Sequence, residues 1–225
     1  MVEKTLLKKL PDSEPAGYFD GERREMLEYV PVDLNSLLEV GCGTGNFGRL
    51  VKAKRPDAVV WGVEMSPAAA TEASTKLDTV VTGDFLTAAE DLRDTKFDAI
   101  CFNDVLEHMV YPSDALIEAR QLLTDRGVVI ASIPNILYFP VITNVLIAQD
   151  WKYEESGTLD RTHLRFFTRK SILRMFEDAG YQVEAIVGIK PSATKVFRIV
   201  NLLLLNQLSD WRYLQFAVIA KPVRR

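Results

Sequence analysis

Two histidines and a set of acids at strand ends carry the chemistry open to this chain. Glu39 stands two residues before an alternating glycine run, Gly41-Cys42-Gly43-Thr44-Gly45-Asn46-Phe47-Gly48. Glycines at that density permit positive φ and leave no Cβ between the backbone and a ligand, and the N–H groups that open the following helix are donors. Further acidic or amide residues, Glu64, Asp84 and Asn103-Asp104, each stand just past an apolar run. Both histidines of the chain, His108 and His163, lie downstream of these. Imidazole titrates near neutral pH, so it can take a hydroxyl proton without first being tuned.

The glycine spacing by itself admits two cofactors. Gly43 to Gly48 is a literal G-x-G-x-x-G, the dinucleotide fingerprint, and an NAD-dependent sugar-modifying oxidoreductase is one expectation it supports. Glu39 argues the other way: a carboxylate there faces a pyrophosphate unfavourably but suits a ligand carrying an ammonium and a sulfonium. None of the seven tyrosines is followed four positions on by lysine, the pair expected of a short-chain dehydrogenase. The E-x-G-x-G-x-G phrase resembles the first motif of the class I S-adenosylmethionine (SAM)-dependent methyltransferases. That resemblance implies SAM as cofactor, S-adenosylhomocysteine as product, and a cofactor site at Glu39, Gly41, Cys42, Gly43 and Gly45. Glu64, about 20 residues on, holds the place of a ribose-hydroxyl acceptor, with Met65 beside it. By the same resemblance Asp84 accepts from the adenine amino group, Phe85 lies beside the ring, Asn103 contacts the cofactor near the transferred methyl, and Tyr18 touches it from above.

The elements that must position these residues alternate. Apolar runs at residues 37–40, 58–63, 79–81, 97–102 and 128–133 read as strands, separated by helical patterns that include 46–54, a start at Ser66-Pro67, and 113–123. A helix from about Arg169 to Ala179 follows, with Thr168 as N-cap and Gly180 as its stop; strands at 181–187 and 214–220 complete the pattern. This is a doubly wound α/β sheet, and in such sheets ligands sit outside the carboxyl ends of the strands, where the acids converge. The resemblance implies a Rossmann-like, seven-stranded, mostly parallel sheet with an antiparallel last strand and a small helical cap. Residues 1–17 read as a loose arm, followed by a helix from Phe19 to Val30. The whole chain, 1–225, reads as a single domain with cap inserts at 135–167 and 190–211.

The inserts should choose the substrate. The first ends in Leu159-Asp160-Arg161-Thr162-His163-Leu164-Arg165-Phe166-Phe167-Thr168, a phrase similar to one in a bacterial subgroup related to the ubiquinone-pathway O-methyltransferases, many of which resemble modifiers of cell-surface glycans. His163 or His108 is the expected base. Arg161 and Arg165 either clamp a substrate anion or pair with Asp160 and Glu155 to hold the loop. Asp104, Glu107 and His108, with His163 as a fourth, offer ligands for a divalent ion. Some relatives resemble metal-dependent enzymes through a comparable acid–acid–His phrase, but adjacent Glu107 and His108 cannot both point inward from an ideal helix. No metal is therefore the primary expectation. The second insert is apolar nearly all round between residues 193 and 208. It is expected to be buried against the first insert; a homodimer contact or a membrane-surface contact are the other readings.

A net charge of −4 gives no electrostatic footprint for nucleic acid. No stretch reaches the roughly 20 apolar residues of a membrane span. Two cysteines, Cys42 and Cys101, are too few for a disulfide framework and favour a cytoplasmic home. The expected function is O-methylation of a hydroxyl on a sugar or other small molecule. A quinone-like or lipid-linked acceptor, and a non-catalytic SAM-binding protein, are the alternatives beside the oxidoreductase.

Overall fold

The computed structural model describes residues 21–192 and 194–223; the expected arm and Tyr18 lie outside the described residues. The strands are β1 (Ser36–Val40), β2 (Val59–Glu64), β3 (Thr79–Thr82), β4 (Phe97–Asn103), β5 (Leu123–Pro134), β6 (Tyr181–Pro191) and β7 (Tyr213–Pro222). The helices are α1 (Asn46–Lys54), α2 (Pro67–Ala73), α3 (Phe85–Asp91), α4 (Pro112–Leu122), α5 (Phe139–Thr143), α6 (Arg169–Asp178) and α7 (Lys195–Leu203). The sheet order is β3-β2-β1-β4-β5-β7-β6, with β1 to β5 parallel and β7 antiparallel to both its neighbours. This is the Rossmann-like sheet the sequence led us to expect.

Strand alternation sets the two faces. Leu37, Val60, Ala99, Cys101, Val128 and Ile130 point to one side, against Phe47 and Val51 of α1 and Ala73 of α2. Their sequence neighbours Leu38, Ile100, Phe102 and Val129 point to the other, against α3, α4 and α6. Buried on both faces, β1, β4 and the later part of β5 must read as continuous apolar runs, as they do. The order reverses between β1 and β4, so their carboxyl ends part and leave a crevice there.

Four boundaries differ from expectation. The described part of the segment expected as a helix to Val30 is a short 3-10 turn, Arg24–Tyr29. Arg23 in front of it is left-handed (φ 45°) and Pro31 follows, so only one short run remains for helical bonding. Leu123 opens β5 rather than closing α4, because Phe97 of β4 pairs with it; the Asp125-Arg126-Gly127 turn is then an irregularity inside β5. β6 continues to Pro191 because the far end of β7 supplies a partner, Tyr213. The second insert therefore starts after Pro191, not at Lys190. Lastly, of α7 only Phe197 is buried, meeting Phe139 edge-on at 5.2 Å. Val196, Ile199, Leu202 and Leu203 are each more than half exposed, so burial against the first insert holds at a single residue.

Thr168 caps α6 as expected: its hydroxyl accepts from Ser171 N–H, and Ser171 returns the bond to Thr168 N–H. The cap also fixes where the first insert ends, since the bridge from Asn135 to Phe167 closes the insert at its two ends. Thr168→Ala is expected to cost about 1 kcal/mol of stability, read as a lowered midpoint in urea without a change of slope.

Candidate active site

The glycine turn is held by two buried acids. Gly48 N–H donates to Glu39 Oε2 (3.1 Å), Gly43 N–H donates to Glu64 Oε2 (2.9 Å), and Ser66 N–H donates to Glu64 Oε1 (2.8 Å). Glu39 at the end of β1 and Glu64 at the end of β2 thus shape the loop from below. Glycine is required at Gly41, where φ is +67° and an added Cβ would stand 2.6 Å from Val105 Cγ2. Burial pushes the Cys42 thiol up, with Glu39 and Glu64 adding to it, so this cysteine is a filler and not a nucleophile.

Burial also pushes Glu39 up to about 8; the Asn103 amide and the Gly48 N–H oppose this, and the charge of Glu64 adds to it. A folded-state pKa above the usual carboxylate value means the folded chain holds a proton that the unfolded chain gives up. The associated stability is full below about pH 4.5 and is lost as pH rises through about 8. Ligand-free protein is therefore expected to melt progressively lower from pH 6.5 to 8.5, and Glu39→Gln to remove part of that fall. A cationic ligand in the turn pulls the other way, towards the carboxylate.

Around the crevice, Met65 is largely exposed and Asp84 caps α3 through Leu86 N–H (2.9 Å). Phe85 belongs to the core, edge-on to Phe102 at 5.7 Å, so its side chain supports the floor of the crevice and does not offer its face to a ring. Asn103, at the end of β4, is buried, and its amide acts on the Glu39 carboxylate across the crevice floor.

Next to Asn103 the chain brings its two histidines together across 55 residues. Leu164 N–H and Arg165 N–H both donate to Glu107 C=O (2.8 and 3.0 Å), which sews the closing phrase of the first insert onto the turn after β4. The His108 and His163 rings meet edge-on at 4.7 Å, and His163 Nε2 lies 3.9 Å from Glu107 Oε1. Glu107 is fully buried and neither of its oxygens has a hydrogen-bond partner among the described residues. The geometric objection to Glu107 and His108 facing inward together dissolves, because Leu106–His108 is a single 3-10 turn and not an α-helix. Burial holds both imidazoles below their usual range, His108 at about 4 with His163 adding to the effect, and pushes Glu107 up to about 8.

Three sequence candidates fall elsewhere. Arg161 pairs with Glu155 on the surface, and Arg165 donates to Val110 C=O (2.6 and 3.1 Å), so both take the loop-holding role. Asp104 is withdrawn from the ligand set: its carboxylate is engaged by Arg23, by Ser132 Oγ (2.9 Å) and by Gln215 Nε2 (2.8 Å). The sequence reading missed Thr158 and Thr162, which orient the two rings, and Arg23, which occupies Asp104. Asp160-x-Thr162, a side chain bonding backbone two residues on, is the one local signal that was available.

A family model described as a methyltransferase domain matches residues 7–186. The chain belongs to the methyltransferase-domain family. It is a SAM-dependent methyltransferase domain, and the dinucleotide alternative falls with that finding. Among solved structures, a SAM-dependent methyltransferase from Archaeoglobus fulgidus superposes with a TM-score of 0.68 at 20% identity, over 91% of this chain and 96% of that one. The plantazolicin methyltransferase BpumL in complex with SAH superposes with a TM-score of 0.57 at 14% identity, over 85% and 77% of the two chains. Among curated sequences, a trans-aconitate 2-methyltransferase of Methylobacterium radiotolerans is 32% identical over 138 residues, 58% of this chain and 53% of its own length. The chain spans about half the length of the curated relatives it matches. Among the described residues, no helix is long and apolar enough to cross a membrane.

Proposed function

We propose that this domain transfers the SAM methyl to a hydroxyl oxygen of a sugar or similar small molecule. The observation that carries the reading is the buried Glu107–His108–His163 cluster, held on the turn that follows Asn103 at the end of β4. An alcohol is a poor nucleophile while protonated, so its methylation needs a proton acceptor; a carboxylate needs none. A carboxylate acceptor, which the name of the trans-aconitate relative suggests, would leave this cluster without a task.

The transfer is an in-line displacement. The acceptor oxygen attacks the methyl carbon as the carbon–sulfur bond breaks, and the electron pair leaves on sulfur to give S-adenosylhomocysteine. Most of the acceleration is orientation of the two reactants in the crevice. His163 receives the hydroxyl proton: its Nδ1 lies 3.0 Å from Thr158 C=O, a pure acceptor, so Nδ1 carries the proton and Nε2 keeps a lone pair. Glu39 and Glu64 serve the cofactor rather than the proton.

A second reading, a quinone-like or lipid-linked acceptor, is favoured by one observation: α7 exposes Val196, Ile199, Leu202 and Leu203, and the first insert exposes Leu146 and Ile147. Incubation with methyl-labelled SAM and an extract of the source cells tests both. Label in the aqueous fraction that survives mild alkali and is released as methyl iodide by hot hydriodic acid is an ether on a water-soluble acceptor, as proposed, and alkali-stable label that hydriodic acid does not release overturns it. Label in the organic fraction favours the lipid-linked acceptor, and label released by alkali marks an ester and overturns O-methylation of a hydroxyl. The two buried, unpaired cysteines support a reducing, cytoplasmic setting for either.

A further inference from the structure

The helix α7 is preformed and bare on its outer face. Thr194 Oγ1 accepts from Phe197 N–H (3.1 Å) and caps its start, and Phe197 pins it to Phe139 of α5, edge-on at 5.2 Å. At 3.6 residues per turn, Val196, Ile199, Leu202 and Leu203 share about a third of the circumference, opposite Phe197. All four are exposed, Leu203 at 76%. The apolar face continues past the helix. Leu204 and Leu205 are exposed too, and Leu205 is held at φ 52°, in the left-handed region that a leucine adopts only at a cost. Asn201 folds this end back, accepting from Leu208 N–H (2.9 Å) and donating to Asn206 Oδ1 (3.2 Å). Backbone strain and two side-chain bonds therefore hold leucines outward, and an exposed apolar surface built in this way marks a contact site.

Charge selects what covers the face. Residues 191–209 contain two cations, Lys195 and Arg198, and no acid. Both are exposed, and neither has an ion-pair partner among the described residues. On the helix Lys195 falls within the apolar arc at its first turn and Arg198 on its border, where long stems lie along apolar surface and carry the charge to its edge. The charges around the segment are already matched: Asp210 pairs with Arg169 (2.9 Å), and Lys190 with Glu25 (2.8 Å). The chain as a whole carries −4, but beyond about 8 Å salt screens the rest, so the local cations decide what meets this face. A second copy seated here by two-fold symmetry would set Lys195 and Arg198 against their own equivalents, with no acid in the segment to pair them. Protein contacts are anchored by aromatic and arginine side chains, and the apolar residues of this face are all aliphatic. An aliphatic stripe bordered by lysine and arginine is what a helix lying in the headgroup layer of an anionic bilayer needs.

We propose that α7 seats this domain on the surface of an anionic phospholipid bilayer, with Ile199, Leu202 and Leu203 in the acyl boundary and Lys195 and Arg198 at lipid phosphates. The proposal does not rest on the identity of the acceptor, since a seated domain reaches a hydroxyl in the water as well as one carried by a lipid.

The test is co-sedimentation of the purified full chain with vesicles of phosphatidylglycerol and phosphatidylcholine in equal parts, set beside vesicles of phosphatidylcholine alone, with no methyl acceptor present. Binding to the anionic vesicles is expected to be about tenfold tighter and to weaken as salt is raised. The double variant Ile199→Ser/Leu203→Ser is expected to weaken it by at least about tenfold while S-adenosylhomocysteine binding stays at the wild-type level. Should that variant lack a native circular dichroism spectrum, Lys195→Gln/Arg198→Gln decides, with loss of the preference for anionic vesicles as the expected result. A second readout is Leu203→Cys carrying an environment-sensitive fluorophore, which the buried Cys42 and Cys101 leave as the single accessible thiol among the described residues. Its emission should shift to the blue on adding anionic vesicles and stay unchanged as protein concentration is raised without them. Failure of the wild type to sediment with anionic vesicles, or binding that neither double variant alters, overturns the proposal. A lipid-free dimer in sedimentation velocity that Ile199→Ser/Leu203→Ser dissolves would assign the face to a second copy instead.

Discussion

Glu64→Ala is expected to weaken S-adenosylhomocysteine binding by at least 100-fold, about 2.7 kcal/mol. The expectation has two sources in the structure. The Glu64 carboxylate holds the glycine turn through Gly43 N–H and the start of the next loop through Ser66 N–H, so its removal leaves two backbone donors near the ligand without partners. Hydrogen bonds to a charged group contribute about 1.5–3 kcal/mol each, and an unsatisfied donor costs about 1–3 kcal/mol. The same carboxylate stands at the end of β2, where the ribose hydroxyls of a bound nucleoside would add donors to its remaining lone pairs. Titration calorimetry with S-adenosylhomocysteine reads the loss directly, and Glu64→Gln should fall in between, because an amide keeps one acceptor. A loss below tenfold would show that Glu64 neither shapes the turn in solution nor meets the ligand.

The sheet and the cofactor end of the site were legible because local rules determine both. β1, β4 and the later part of β5, buried on two faces, leave apolar runs, and the turn after β1 needs glycine at Gly41, where φ is positive and Val105 leaves no room for a side chain. Ser66-Pro67 and Thr168 announced helix starts by the same local logic, since a cap bonds within its own first turn. The acceptor end was only half legible. Glu107 and His108 could be singled out as candidates from their place after β4, but which groups join them depends on contacts across 50 or more residues. The two backbone bonds from Leu164 and Arg165 to Glu107, and the ion pair that removes Asp104, have no local signature. Arg23 offered no sequence signal, because a surface arginine before a short helix reads the same whether or not it reaches a strand end. Phe85 shows a related dependence: its position after Asp84 suggested a cofactor contact, while the packing of its side chain on Phe102 is set by neighbours in space. The α7 segment shows the converse limit. Its composition predicts burial, yet composition cannot name the surface that would cover it, and among the described residues only Phe139 reaches it by an aromatic contact.

His163→Ala should lower kcat by about 10²- to 10⁴-fold, the usual contribution of a positioned general base, while S-adenosylhomocysteine binding stays within about threefold of wild type. The separation follows from where the groups sit. The imidazole is held by Thr158 C=O and faces Glu107 in the cluster after β4, whereas the cofactor turn hangs on Glu39 and Glu64 at the ends of β1 and β2. The pH profile adds a second signature. Burial lowers the pKa of His163 from its ordinary 6.5, against the opposing pull of Thr158 C=O and Asp160. Lowering the pH protonates the ring and removes the lone pair that takes the hydroxyl proton, so kcat falls on the acid side. Because the pKa is depressed, that fall begins below pH 6.5, and the rate is level through neutrality. His108, lower still at about 4, is the weaker base of the pair, and His108→Ala should cost less turnover than His163→Ala. An acid limb at or above pH 6.5, or a His163→Ala enzyme that loses cofactor as completely as Glu64→Ala does, would show that the two ends of the crevice act as one site and that the proton leaves by another route.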